Sequence, residues 1–207
     1  MGDLFARLLP VSSSFSPQSQ QMAVPSSRVY TLRTSPADRH TTLLQPAGYP
    51  ETSPPAFSVT VSKTTKPNVV IYRGAAHASP PIGDARFHTF SSTTDVTLRG
   101  EPVRMKQSQL SGSFAVETGR WGSFKWHLNQ MTGSSLELKD SAGRVMAVLK
   151  SRAGGFGERK LEILVPCEER FVELIVVTGM VGMVVTREVF RAGAEGAVDA
   201  AASVAGV

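Results

Sequence analysis

The central part of the chain alternates apolar and polar residues in short runs. The run Phe57–Val61 has an apolar residue at every second position, and so does the run Phe124–Leu128. A period of two places one set of side chains in a core and the other set in water. Turns rich in glycine and proline separate about nine or ten such runs. The pattern therefore predicts short antiparallel strands that follow one another as a meander.

The segment 171–190 breaks this pattern, because it is apolar on every side between Leu174 and Val185. A membrane span is one interpretation, but a span needs about 20 apolar residues and this run is shorter. A β-hairpin that turns at Gly179 is a second one, since a glycine costs a helix interior about 1 kcal/mol. A helix buried on all sides is the third, and it would have to lie inside the closed meander. The pattern alone leaves the choice open.

The two ends of the chain differ in composition from the middle. Eight of the 13 prolines lie in the first 55 residues, which are also rich in serine and threonine. Such a stretch buries too little apolar surface to offset the entropy lost on ordering. We therefore predict a disordered arm over residues 1–55, a barrel domain over 56–191 with a core helix at about 171–190, and a flexible Ala/Gly tail over 192–207.

The start of the chain does not have the form of an export signal. The apolar stretch Leu4–Leu9 is short and is interrupted by Arg7. With no convincing transmembrane span elsewhere, the sequence favours an intracellular protein, either cytoplasmic or peripherally attached to a membrane.

A series of motifs in the second half of the chain has a recognisable order. An aromatic-x-Trp strand is followed by a Leu-Glu-Leu strand, a turn, a strand with a central alanine, a Leu-Glu-Ile strand and the closing apolar segment that ends in two arginines. In this sequence the motifs are Phe124-Lys125-Trp126, Leu136-Glu137-Leu138, Asp140–Gly143, Val145–Val148, Leu161-Glu162-Ile163 and Leu174 onward to Arg187 and Arg191.

This order resembles the fungal domains of unknown function in the tubby C-terminal-like superfamily. LURP-one-related proteins and phospholipid scramblases are similar more distantly. The resemblance covers about residues 57–191. It implies a mainly β fold, in which a closed antiparallel barrel of about twelve strands surrounds a central hydrophobic C-terminal helix. Tubby proteins bind phosphoinositides through basic side chains on the barrel, but no residue-by-residue match to that site is found here.

The charge of the chain suggests where a ligand would bind. The chain has 22 Lys and Arg against 17 Asp and Glu, and the excess falls in the part expected to fold. A hairpin at residues 150–160 would collect four basic residues at its tip, and one strand carries two more on its outward face. A tryptophan in a turn beside Arg120 has two interpretations, a contact with a membrane interface or ligand, and ordinary packing of the loop. The candidate lipid-binding residues are Lys150, Arg152, Arg159, Lys160, Arg104, Lys106 and Trp121.

Residues for catalysis or metal binding do not form a recognisable set. The sequence contains no Gly-x-Ser-x-Gly elbow, no Walker loop and no His-Glu-x-x-His motif. The lone Cys167 excludes an intrachain disulfide and precedes two glutamates, which disfavour a reactive thiolate. We therefore expect no enzyme activity, no cofactor and no metal.

The expected function is a non-enzymatic binding or scaffolding module that recognises anionic phospholipid or a membrane surface through basic residues. The alternative is a protein-interaction domain regulated by its disordered N-terminal arm, with a partner that the sequence does not identify. Nucleic acid is not an expected ligand, because the basic residues are interleaved with acidic ones and exposed aromatic residues are few. A monomer is expected.

Overall fold

The chain forms twelve β-strands and one long C-terminal helix in a computed structural model. The structure describes residues 28–88, 91–129, 135–150 and 159–205, with side chains as far as residue 189. The elements are β1 (Arg28–Thr34), β2 (Thr41–Pro46), β3 (Phe57–Val61), β4 (Val69–Arg73), β5 (Pro81–Arg86), β6 (Thr93–Leu98), β7 (Glu101–Gln107), β8 (Phe114–Thr118), β9 (Gly122–Leu128), β10 (Ser135–Lys139), β11 (Val145–Lys150), β12 (Arg159–Ile163) and α1 (Glu169–Ala205).

The strands close into one antiparallel barrel of simple up-and-down order. Each strand pairs with its neighbours in sequence, and β1 pairs with β12 to complete the ring. In that closing pair Tyr30 faces Leu161 and Leu32 faces Arg159. A closed ring leaves no free sheet edge, which removes the main route to edge-to-edge aggregation. The expectation of a mainly β fold with a closed barrel and a C-terminal helix is confirmed.

Alternation along each strand determines which side chains face the interior. In β12, Leu161 and Ile163 are buried, whereas Lys160 and Glu162 lie on the outer face. In β8, Phe114 and Val116 are buried in the same way. Because the period is two, a slip of one residue would bring the charged set inside, so the register is firmly specified.

Helix α1 fills the barrel. Every residue from Phe171 to Val184 is buried, and helix residues contact strands on different sides of the ring. The indole Nε1–H of Trp126 on β9 donates to Thr178 Oγ1 at 3.0 Å, and Thr178 in turn donates to the carbonyl oxygen of Leu174 at 2.8 Å. The buried-helix interpretation of the apolar segment is therefore correct.

Two glycines allow the helix to approach the barrel wall. A Cβ atom at Gly179 would lie 3.0 Å from the Trp126 ring, and one at Gly83 on β5 would lie 2.8 Å from Val177. Both separations are too short for carbon atoms in ordinary contact. The helix propensity lost at Gly179 is thus offset by close packing against an aromatic ring.

The predicted arm over residues 1–55 is wrong for the part that the structure describes. Residues 28–34 and 41–46 form β1 and β2, and the barrel begins at Arg28 rather than near residue 56. Composition was misleading because threonine, frequent here, is a good strand residue when its neighbour faces a core. The amide of Gln45 also orders the following loop, donating to the carbonyl oxygens of Glu51 at 2.8 Å and Ser53 at 2.9 Å. Residues 1–27 lie outside the described residues.

The end of the helix also differs from the prediction. Helix α1 does not end near residue 190 but continues to Ala205, through most of the predicted flexible tail. Alanine, abundant in that tail, is the best helix former, which explains the continuation.

Within the described residues, no helix has both the length and the hydropathy needed to cross a membrane.

Candidate functional site

The predicted basic hairpin is formed in part. The pairing of β11 with β12 places Lys150 directly opposite Lys160, and both point outward. The Lys150 ammonium lies 3.0 Å from a carboxylate oxygen of Glu162, so much of its charge is balanced. Arg159 lies on the inward phase of β12 and its guanidinium approaches Thr34 Oγ1 at 3.4 Å. Arg152 lies outside the described residues.

The other predicted residues lie elsewhere on the barrel. Arg104 and Lys106 are exposed on β7, four strands around the ring from β11. Arg104 is 4.0 Å from a carboxylate oxygen of Glu117 on β8, at the limit of an ion pair. The six candidates that the structure describes therefore do not form a single site.

Trp121 lies at the end of the barrel where α1 begins, here called the helix-entry end. Its ring is half-buried and packs edge-on against Phe171 at 5.9 Å between centroids. Its Nε1–H donates to Glu168 at 3.1 Å, and the Arg120 guanidinium stacks over the ring at 5.0 Å. These contacts give Trp121 a packing role at the start of the helix rather than the free exposure expected of a membrane-interface contact.

A row of lysines, of which only Lys106 was a predicted candidate, crosses the outer face of β7 to β10. In the register, Lys106 faces Ala115, Ala115 faces Lys125, and Lys125 faces Lys139. Neighbouring strands are about 4.8 Å apart, so the three lysines span roughly 15 Å of the wall. We call Lys106, Lys125 and Lys139 the lysine row.

Two of the three lysines of the row carry charge that nearby acids do not balance. Lys139 pairs with Glu137 at 3.2 Å. Among the residues that the structure describes, no carboxylate lies within ion-pair distance of Lys106 or Lys125. The pKa of His127, next to the row, is lowered by burial and then by the charges of Lys125 and Lys139. Burial and a positive field both lower a histidine pKa, and here burial is the larger cause.

The helix-entry end has the opposite character, because its charges are paired. Glu173, only 1% exposed, accepts hydrogen bonds from Arg99 at 2.7 and 2.8 Å and from Arg73 at 2.9 and 3.3 Å. Glu169 accepts from Arg73 at 2.9 Å and also pairs with Arg28. We call these five residues the arginine network.

The arginine network fixes the charged state of its acids. Hydrogen bonds from Arg99, and then from Arg73, hold the pKa of Glu173 below its ordinary value. Arg73 does the same for the pKa of Glu169. Carboxylates near a helix N-terminus also interact favourably with the helix dipole. The network therefore anchors the first turns of α1 to three parts of the barrel: the start of β1, the end of β4 and the turn between β6 and β7.

Groups with catalytic or metal-binding chemistry are dispersed. Burial raises the pKa of the Cys167 thiol, with nearby Glu169 and Glu168 adding to the effect, so the thiolate is disfavoured at neutral pH. His88 pairs with Asp95 at 2.8 Å on the outer face, and His77 contacts the Tyr72 hydroxyl at 3.1 Å. In the described part of the chain, no three His, Cys, Asp or Glu residues converge as metal ligands.

Comparison of the chain with protein-family models, with curated proteins and with solved structures gave no match in any of the three.

Proposed function

We propose that this protein is a non-catalytic, tubby-like binding module that attaches to anionic phospholipid membranes through the outer wall of its barrel. The tubby-like assignment is supported by the twelve-strand antiparallel ring and the C-terminal helix inside it. The membrane ligand is supported by a single observation, the lysine row. Three lysines lie side by side there, and two of them have no acidic partner among the described residues.

The shape and chemistry of the row suit a charged surface better than a small enclosed ligand. The row lies on the outside of a barrel, and its centre is Ala115, whose small side chain leaves the flanking lysines free to extend. A basic residue near an anionic leaflet contributes about 1 kcal/mol. Lys106 and Lys125 would thus contribute about 2 kcal/mol, or roughly thirtyfold in affinity, and Lys139 would add less because it is paired with Glu137.

Lys150 and Lys160 extend the basic surface on the next two strands. Their contribution is smaller in this proposal, because Lys150 is already paired with Glu162. An ion pair with a protein carboxylate must weaken before the lysine can interact fully with a headgroup. The lysine row, rather than the hairpin tip, is therefore the principal contact.

The proposal is tested by co-sedimentation of the full chain with phosphatidylcholine vesicles that contain phosphatidylserine or a phosphorylated inositol lipid. Binding should be strong at low salt and weak at about 1 M salt, where the Debye length is about 3 Å. The combined Lys106→Ala, Lys125→Ala and Lys139→Ala variant should bind roughly thirtyfold more weakly.

The matched control replaces three exposed basic residues in loops at the far end of the barrel, Arg39, Lys63 and Lys66, by alanine. It removes the same charge and should retain most binding. Equal losses in the two variants would show a response to net charge only. No binding of the unaltered chain at low salt would exclude the proposal.

A further inference from the structure

Leu110 lies in solvent at the tip of the turn between β7 and β8, at the end of the barrel opposite the helix-entry end. Its side chain is 98% exposed, the highest value among the large hydrophobic residues that the structure describes. It therefore buries almost no apolar surface against the barrel and adds little to the stability of the fold. A lone exposed leucine is common on protein surfaces, so a role for this one depends on its turn and its neighbours.

The turn that carries Leu110 is held in one shape by its own hydrogen bonds. The amide of Ser108 donates to the carbonyl oxygen of Ser113 at 2.8 Å, and the amide of Gly112 donates to the carbonyl oxygen of Ser108 at 2.9 Å. Gly112 has a φ of 63°, and a Cβ atom there would lie 3.0 Å from the Leu128 side chain, so glycine is favoured at this position. The turn thus holds its leucine outward in a fixed position.

The same turn can enter a less polar environment at a low cost in free energy. Residues 107–113 carry no charge. The hydroxyl oxygens of Ser108 and Ser111 accept from the amides of Ser111 and Ser113, both at 3.4 Å, so four amide groups of the turn have acceptors inside it. A polar group that is already hydrogen-bonded loses less on leaving water than one without a partner.

The turn continues directly from the lysine row. Lys106 on β7 faces Ala115 on β8, and the turn begins after one further pair of residues. Lys106 is four residues from Leu110, so their Cα atoms are at most about 14 Å apart. From Pro102 to Val116 the chain has no acidic residue. An exposed leucine, an uncharged turn and unbalanced lysine charge therefore lie together along one edge of the barrel.

We propose that Leu110 inserts into the membrane as an apolar anchor, while the lysine row binds the anionic headgroups beside it. An anionic leaflet has negative groups at its surface and apolar chains a few ångströms below them, which matches the lysines and the leucine in turn. This inference rests on the proposed attachment to anionic membranes. It adds the residue that enters the bilayer and the orientation that follows.

Insertion of Leu110 determines how the barrel lies on the bilayer. The turn between β7 and β8 points into the leaflet, the wall formed by β7 to β10 lies against the headgroups, and the helix-entry end with its arginine network faces away. The two contributions to binding differ in their response to salt. Attraction between lysines and headgroups is screened by salt, whereas burial of a leucine is not.

Co-sedimentation of the full chain with phosphatidylcholine vesicles that contain phosphatidylserine measures the contribution of the leucine. Leu110→Gln should weaken binding about tenfold, because a leucine side chain is no longer removed from water. The same factor is expected at about 0.05 M and about 0.15 M salt, since apolar burial is not screened. Leu110→Met keeps an apolar side chain of similar volume and should retain most of the binding.

The matched control is Leu164→Gln, which makes the same change at another exposed leucine, just after β12 and near the helix-entry end. It should bind vesicles as tightly as the unaltered chain. The triple alanine variant of the lysine row should instead show a weaker dependence of binding on salt. The two kinds of variant thus separate the apolar contribution from the electrostatic one.

A fluorescent label measures insertion directly. Leu110→Cys in a Cys167→Ser background carries an environment-sensitive fluorophore, and Ala142→Cys in the exposed turn between β10 and β11 is the control. On binding to vesicles, emission from position 110 should shift to shorter wavelength and be quenched by lipids brominated on their acyl chains. Position 142 should show neither change.

The outcomes distinguish this inference from the proposed function. No binding of the unaltered chain at low salt would exclude membrane attachment and the anchor together. Unchanged binding of Leu110→Gln, or no quenching at position 110 in the bound chain, would exclude the anchor alone and leave the lysine row as the contact. A dimer of the free protein that Leu110→Gln converts to a monomer would assign the leucine to a second copy and overturn the proposal.

Discussion

The arginine network and the lysine row use basic residues in opposite ways. At the helix-entry end, Arg73 and Arg99 converge on the buried carboxylate of Glu173. On the outer wall, Lys106 and Lys125 face water with no acidic partner among the described residues. Arginine suits the first task because its planar group donates several hydrogen bonds, and lysine suits the second because its charge is mobile and compact. The difference separates charge that maintains the fold from charge that is available to a ligand.

The largest expected difference between the arginine network and the lysine row is in the effect of substitutions on stability, and it is tested at Glu173. Glu173→Ala removes four hydrogen bonds to two arginines and should lower the free energy of unfolding by about 3 kcal/mol. Lys125→Ala on the wall should change it by no more than about 0.5 kcal/mol. Urea unfolding of both variants measures the difference. Similar values for the two would mean that the network does not anchor the helix.

The dependence of the free energy of unfolding on pH gives a second test of the difference between the arginine network and the lysine row. The pKa of Glu173 is lowered in the folded chain by Arg99 and Arg73, so the folded state binds fewer protons than the unfolded state in this range. The resulting stability is fully present above the ordinary glutamate pKa of about 4.3 and is lost as the pH falls through the lowered folded value.

Glu173→Gln should therefore flatten the dependence of unfolding free energy on pH below about 4.5. Urea unfolding at several pH values between about 5 and 3 would measure it. Lys125→Ala serves as the control and should keep the slope of the unaltered chain. An unchanged slope in Glu173→Gln would show that the carboxylate is not held in its charged form by the arginines.

The smallest expected effect is a change in the pKa of His127, which responds to the electrostatic field of the lysine row. Burial comes first among the causes that lower the pKa of His127, followed by Lys125 and Lys139, while Glu137 opposes them. Lys125→Ala should raise the pKa of His127 towards its ordinary value, and Glu137→Gln should lower it further. Proton NMR titration of the imidazole would follow both changes. A shift in the same direction in both variants would contradict the electrostatic account.

Local patterns in the sequence were sufficient to predict much of the fold. Alternation identified strands such as Phe57–Val61 and Phe124–Leu128, because each buries one face in a common core. The pattern left the buried helix as one of three alternatives, and the resemblance favoured it. Inside the barrel, the hydrogen bond between Trp126 and Thr178 satisfies the polar atoms of these two buried side chains.

The parts that were missed depend on contacts between distant residues. Strand β1 is held in place by β12, far along the chain, so its Ser- and Thr-rich surroundings gave no local signal. Likewise, Lys106, Lys125 and Lys139 come from separate strands and become neighbours only through the register of β7 to β10. Outward alternation could have marked Lys125 and Lys139 as exposed, but not as aligned with Lys106.

The contact between the lysine row and a membrane is tested most directly by a nitroxide probe at its centre. Ala115→Cys in a Cys167→Ser background carries the label, and Lys63→Cys at the far end of the barrel is the control. When anionic vesicles are added, collisions of a water-soluble relaxing agent with the label, measured by electron paramagnetic resonance, should fall at position 115 and stay unchanged at position 63. Equal accessibility at position 115 with and without bound vesicles would contradict the account.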